Sequence, residues 1–243
     1  MSFNTAASGN WSNPAVWPCG IIPGINDSVV IRSGHSIVLN ITTQIRKLLV
    51  EPGATLTLSD GAVVFTVGSN ANKTSPVTFD GSLTITNGTI RIYGNLTLTS
   101  TSGFNMSGGN IIIDGNSGTA STSIPDGQHL FSVGTSGGNF TFTGGKLQFI
   151  DPPLGATSQA VNSPINFGAL STLLFGDGVS TRASNNINGF GGNLLPAIIG
   201  KLHVDAASLL NNRIFRDLNP LTVKNELKVF SGHIIQVAPI NVQ

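Results

Sequence analysis

Apolar residues at every second position, in runs of about five, recur along this chain roughly every ten residues. Representative runs are Ser28-Val29-Val30-Ile31, Ala54-Thr55-Leu56-Thr57-Leu58, Leu83-Thr84-Ile85-Thr86, Thr89-Ile90-Arg91-Ile92-Tyr93 and Phe140-Thr141-Phe142-Thr143. Side chains alternate across a strand, so each run has one face to bury and one to show to water. The runs are bounded by Gly, Asn, Asp or Ser, and no window carries a capped 3.6-residue period. The expected class is all-β.

Many runs open on the same phrase, a glycine followed by alternating apolar residues. It stands at Gly53-Ala54-Thr55-Leu56-Thr57-Leu58, Gly81-Ser82-Leu83-Thr84-Ile85, Gly88-Thr89-Ile90-Arg91-Ile92, Gly94-Asn95-Leu96-Thr97-Leu98 and Gly145-Lys146-Leu147-Gln148-Phe149. Such a returning phrase implies units that bury their apolar faces only by stacking on one another, which makes a β-solenoid, or parallel β-helix, the expected fold. Three strands per coil give about six to eight coils, each adding the ~4.8 Å of one strand spacing. The alternative is an antiparallel β-sandwich. Asn87-Gly88 between two runs is a strong hairpin signal, and Asp60-Gly61 and Gly144-Gly145 are placed in the same way. Solenoid corners require the same residue types, because they also need positive φ. A single domain is expected over residues 1–243, with 1–28 as an N-terminal capping segment. Residues 151–202, with Pro152-Pro153, Pro164, Pro196 and Asn188-Gly189-Phe190-Gly191-Gly192, read as a loop-rich interruption.

Composition narrows the function. Only 9% of the residues are charged, and 12 Lys and Arg stand singly against 11 Asp and Glu, so no basic stripe is available for a phosphate backbone. Nucleic acid is not an expected partner. Apolar runs such as Ile111 to Ile113 fall far short of the ~20 residues that span a bilayer, so no membrane insertion is expected. A single cysteine, Cys19, allows no internal disulfide, and four dispersed histidines make no spaced zinc motif with it.

The N-terminal stretch is more specific. Ser8-Gly9-Asn10-Trp11, Trp17, Ile22-Pro23-Gly24, Asn26-Asp27-Ser28-Val29-Val30-Ile31 and Gly34-His35-Ser36-Ile37-Val38-Leu39 resemble the opening of large secreted surface proteins of the Bacteroidetes type, related to the glycine-rich G8-type module. Ile150-Asp151-Pro152-Pro153, Phe175-Gly176-Asp177-Gly178-Val179-Ser180-Thr181 and Leu221 to Gly232 are also similar to pieces of such proteins. The resemblance implies a right-handed parallel β-helix, export, often by type IX secretion, and adhesin-like or stalk-like roles at the cell surface. The implied partners are cell-surface glycans or proteins and neighbouring domains of the same longer chain, of which this sequence is expected to be a piece. Trp11 and Trp17 are the expected cap of the first coil, with Asn26 and Asp27 holding the turn before the first strand.

No catalytic, cofactor-binding or metal-binding residue is assigned, no cofactor is implied, and the chain is expected not to be an enzyme. The acids Asp27, Glu51, Asp60, Asp80, Asp114, Asp126, Asp151, Asp177, Asp205, Asp217 and Glu226 are isolated, and most sit beside glycine as turn residues do. Stacking could still gather Asp60, Asp80 and Asp114. His35 and His233 share a Ser-Gly-His phrase that suggests equivalent corners of two coils, while His129 and His203 flank or occupy strands. Cys19 reads as a small buried residue of the cap. The alternative function is a carbohydrate-active β-helix, whose mark would be at least three acidic or basic side chains converging in one lateral groove. Thr-x-Thr pairs at Thr55/Thr57, Thr84/Thr86, Thr97/Thr99 and Thr141/Thr143 raise ice binding as a minor alternative, but their spacing along the chain is irregular and strand propensity explains them.

Overall fold

The computed structural model describes residues 1–69, 77–99, 102–115, 130–134, 139–150, 161–162, 167–178, 187–190, 198–205, 214–217, 221–231, 233–236 and 240–243. The period-two runs become strands, and the first rung is β1 (Ser2–Asn4) and β2 (Gly9–Asn10). Four rungs of three strands follow. They are β3 (Ser28–Ile31), β4 (Ser36–Leu39) and β5 (Thr43–Ile45); β6 (Lys47–Val50), β7 (Thr55–Leu58) and β8 (Val64–Val67); β9 (Val77–Phe79), β10 (Ser82–Ile85) and β11 (Thr89–Tyr93); and β12 (Leu96–Leu98), β13 (Gly103–Met106) and β14 (Asn110–Asp114). Each later rung has two strands: β15 (Phe131–Val133) with β16 (Asn139–Ile150), β17 (Val161–Asn162) with β18 (Phe167–Gly176), and β19 (Ile187–Phe190) with β20 (Ile198–Asp205). The last two are β21 (Ile214–Asp217) with β22 (Leu221–Ser231), and β23 (His233–Gln236) with β24 (Ile240–Val242).

Every ladder among the described strands is parallel, and strands pair with the equivalent strand of the next rung. The first strand of each rung builds a ten-stranded sheet, β1-β3-β6-β9-β12-β15-β17-β19-β21-β23. The second strands build one arm, β2-β4-β7-β10-β13, the second arm, and the third strands another, β5-β8-β11-β14, the third arm; the two meet in β16, whose latter half and successors continue the third. One half of β16 pairs with β13 and the other with β14, and β18, β20, β22 and β24 continue from it. Within residues 151–202 the described parts are β17, β18 with the two residues after it, β19 and the start of β20, and these strands extend the same ladders; the rest of that segment lies outside the described residues.

The antiparallel alternative is therefore corrected. Although β10 and β11 are joined through Asn87-Gly88, they do not pair with each other: β10 pairs with β7 and β13, and β11 with β8 and β14. Gly88, Gly109 and Gly145 lie in one column at this corner with φ of +84°, +69° and +86°. A Cβ on Gly109 would sit 2.8 Å from the Gly88 carbonyl oxygen, and one on Gly145 would sit 2.6 Å from the Gly108 oxygen. Both the positive φ and the closeness of successive rungs demand glycine, so these dipeptides turn the chain sideways instead of back on itself. The first sheet counts ten strands, more than six to eight coils, because β16, β18, β20 and β22 serve two arms without a separate turn.

Register stacks like on like in the interior. Leu39, Leu58, Ile85, Met106, Phe142 and Phe167 follow one another in one inner column, and Phe65, Ile90, Ile111, Leu147, Leu173 and Leu202 in another, all buried. Each such side chain contributes roughly 1.5–3 kcal/mol when removed from water. The rings of Phe142 and Phe167 meet edge-on at 4.9 Å, and those of Phe149 and Phe175 stack at 5.1 Å. Outside, Thr57, Thr84, Asn105 and Thr141 share a column, and the Thr141 hydroxyl donates to Asn105 Oδ1 at 3.0 Å, the hydroxyl and amide ladder expected of stacked coils.

At the N-terminal end of the stack Trp11 and Trp17 are buried, with ring centroids 4.7 Å apart, and Trp11 meets Phe65 of β8 at 5.1 Å. Trp17 Nε1–H donates to the Trp11 carbonyl at 2.8 Å, while Trp11 Nε1 is buried without a partner. An orphan donor costs about 1–3 kcal/mol; burying an indole of roughly 200 Å² contributes about 5 kcal/mol and outweighs it. Asp27 holds the preceding turn by accepting from Gly24 N–H at 2.9 Å and from the Met1 ammonium at 2.8 Å, and that ammonium bond, first, with the Gly24 bond holds its carboxyl below the usual value. Cys19 is exposed, not buried: it occupies the middle of the Pro18–Gly20 turn at φ +59°, which aims its side chain outward. His35 and His233 are not equivalent either, since His35 lies in the turn before β4 of the second arm whereas His233 opens β23 of the first sheet.

Two substitutions test these devices. Gly109→Ala should lower stability in urea by roughly 2 kcal/mol or more through backbone strain and collision, whereas Gly24→Ala, with no atom within 4 Å of its added Cβ, should leave the midpoint unchanged. Trp11→Ala should cost about 3–5 kcal/mol, with amide exchange rising first in β2, β4 and β8.

Candidate functional site

The outer faces differ in chemistry. On the second arm they carry Ser36, Thr55, Thr57, Ser82, Thr84, Asn105 and Thr141, with no ionisable side chain at the register positions of β4, β7, β10 and β13. On the third arm, Lys146, Thr172, Lys201 and Glu226 occupy consecutive strands of one outer column, and Gln148, Leu174, His203 and Lys228 occupy the next. The strands fix this arrangement: β20 and β22 alternate, with Leu202 and Val204 facing the core and Lys201 and His203 facing out.

Glu226 is the centre of a compact group. His203 Nε2–H donates to Glu226 Oε2 at 3.0 Å. That bond, foremost, holds the Glu226 carboxyl below its ordinary value, the charges of Lys228 and Lys201 act in the same direction, and partial burial opposes them. Register shifts between Val204 and Asp205 against Val229 and Ser231, so that Phe230 is an extra residue on β22. A bulge of this kind re-aims a side chain. Phe230 is 52% exposed, its ring meets His203 edge-on at 5.5 Å, and Lys228 Nζ lies 4.5 Å above its centroid.

Sequence reasoning had set these residues aside as isolated. The acids it considered together, Asp60, Asp80 and Asp114, occupy different corners: Asp60 accepts from Ala62 N–H after β7, Asp80 follows β9, and Asp114 ends β14. Glu51 accepts from Ser33 N–H, and Asp205 lays its carboxylate against Gly178. His35 Nδ1 lies 2.7 Å from the Thr5 hydroxyl. Asp126, His129 and Asp151 lie outside the described residues, and for Asp217 and His233 only the backbone is described. Among the described residues no group of three or more His, Cys, Asp or Glu is placed to hold a metal ion, and no helix is long and apolar enough to cross a membrane. An open cleft of about 250 Å³ lies near the cap, lined by Ile25, Asn26, Arg46, Gly68 and Ser69. Arg46 there donates to Ser28 Oγ at 3.0 Å.

The arrangement presents two lysines, a largely buried imidazole and a carboxylate beside an exposed aromatic ring. Glycoside hydrolysis would require a second carboxylate across the scissile bond, and among the described residues neither outer column holds one besides Glu226. Comparison of the chain with protein-family models, curated proteins and solved structures finds no match.

A depressed carboxyl contributes stability that is fully present above its unfolded value and is lost as pH falls through the folded one. Thermal unfolding followed from pH 7 down through the carboxylate range below 4.5 should therefore show a Glu226-dependent decline that Glu226→Gln removes. The decline should be small and salt-sensitive, because the Glu226 carboxylate is 40% exposed.

Proposed function

We propose that this chain is a right-handed parallel β-helix segment of a secreted cell-surface protein, non-catalytic, serving as a rod-like spacer or adhesin. The observation that carries the reading is the set of long parallel ladders, of which one runs through ten strands, with inner columns that are apolar from rung to rung wherever their side chains are described. Nine spacings of about 4.8 Å add roughly 43 Å to any longer rod of which this is a part. Backbone hydrogen bonds then run along the load-bearing axis, and the outer positions are free to vary without disturbing the core. The resemblance of the N-terminal Trp motif to Bacteroidetes-type surface proteins supports export. Its partners would be surface glycans or proteins and the flanking domains.

A second reading, a carbohydrate-active β-helix, is favoured by Lys201, His203, Glu226 and Lys228, which meet on the outer side of β20 and β22. A polysaccharide panel separates the two, because a non-catalytic segment releases no reducing ends or unsaturated uronates. In intact cells making the natural protein, protease shaving should remove the segment. Recovery only from the protected cytosolic fraction would sink the surface reading.

A further inference from the structure

Three features of the third arm stand out in a chain with so few charges. Lys146 and Lys201 lie in one outer column with Thr172 between them, so they are two strand spacings, about 10 Å, apart along the stack. Lys228 flanks Phe230, a half-exposed aromatic ring set outward by a bulge. Glu226 sits among these cations, bonded to His203.

We propose that the outer face of β16, β18, β20 and β22 binds an acidic polysaccharide, with Phe230 stacking on a sugar ring and Lys228, Lys201 and Lys146 pairing with carboxylates spaced along the polymer. The proposal rests on the adhesin form of the surface reading. Neither Lys146, Lys201 nor Lys228 forms an ion pair with an acid among the described residues, so their charges remain available to a ligand. The exposed Phe230 ring suits the C–H face of a pyranose, and the adjoining ammonium suits a ring carboxylate. Glu226 selects among polyanions. An anionic acceptor amid the lysines repels a ligand made of phosphates or carboxylates alone, but accepts hydrogen bonds from sugar hydroxyls. The direction of binding follows from the register, with the polymer running along the stack axis across the strands.

The test titrates the full chain with polygalacturonate, dextran and polyglutamate by calorimetry at low and physiological salt. Polygalacturonate should bind and the other two should bind at least roughly tenfold more weakly, with added salt lowering the affinity. Phe230→Ala and Lys228→Gln should each weaken binding by about tenfold, while Lys47→Gln, on the first sheet, should leave it unchanged. Amide-exchange protection of β20 and β22 in each variant establishes that lost binding is not lost structure. No affinity for polygalacturonate, equal affinity for polyglutamate, or indifference to Phe230→Ala in a protected β22 overturns the proposal. If the same protein is shaved from intact cells, that failure removes the glycan site and leaves the spacer reading standing; if it is not shaved, the surface reading fails independently.

Discussion

The parallel, in-register ladder is the interaction on which everything else in this structure depends. Each strand finds its hydrogen-bond partners only in the rung before and the rung after, so no rung is complete alone. Register then dictates composition column by column. An inner position must be apolar in every rung, as Leu39, Leu58, Ile85, Met106 and Phe142 are, and a corner column must be glycine wherever rungs approach closely, as at Gly88, Gly109 and Gly145.

The same ladder explains which parts of the fold could be read in advance. Alternation fixed which side chains point inward, because it is a local property of each strand. Pairing direction was harder to read. Asn87-Gly88 satisfies both a hairpin and a stacked corner, since both need positive φ, and only the partner strands distinguish them. The meeting of His203 with Glu226 was not legible at all. Rung length varies: register partners Ser28 and Lys47 are 19 residues apart, whereas Leu96 and Phe131 are 35 apart. With no constant period, sequence separation does not reveal which residues become neighbours, and acids and bases scattered singly along the chain look isolated when some are not.

The two ends of the stack illustrate how burial depends on the neighbouring rung. Trp11 and Trp17 lie over the core at one end and leave Phe65 below them buried. At the other end the column Phe149, Phe175 and Val204 is buried, but its next member, Val229, is 45% exposed, although it faces the same side of its strand. An apolar residue in this architecture is therefore placed by its column and buried by its follower. Large aromatics at the Trp end substitute for a missing neighbour because two indoles cover what a whole strand would otherwise cover.

Scarcity of charge follows from the same geometry, and so does the place where charge is tolerated. Outer columns bring equivalent positions within one strand spacing of each other, so a repeated charge would repel itself at about 5 Å in every rung. Hydroxyls and amides avoid this and can bond along the column, as Thr141 and Asn105 do. On the third arm the charges that do occur are separated or opposed: Thr172 stands between Lys146 and Lys201, Glu226 follows Lys201, and the Glu226 carboxylate is bonded to His203. A charged patch can persist on such a stack only with this interleaving. Lys228 and His203 are register partners, and there the lysine reaches over Phe230 and the imidazole toward Glu226, so each side chain has a partner of its own.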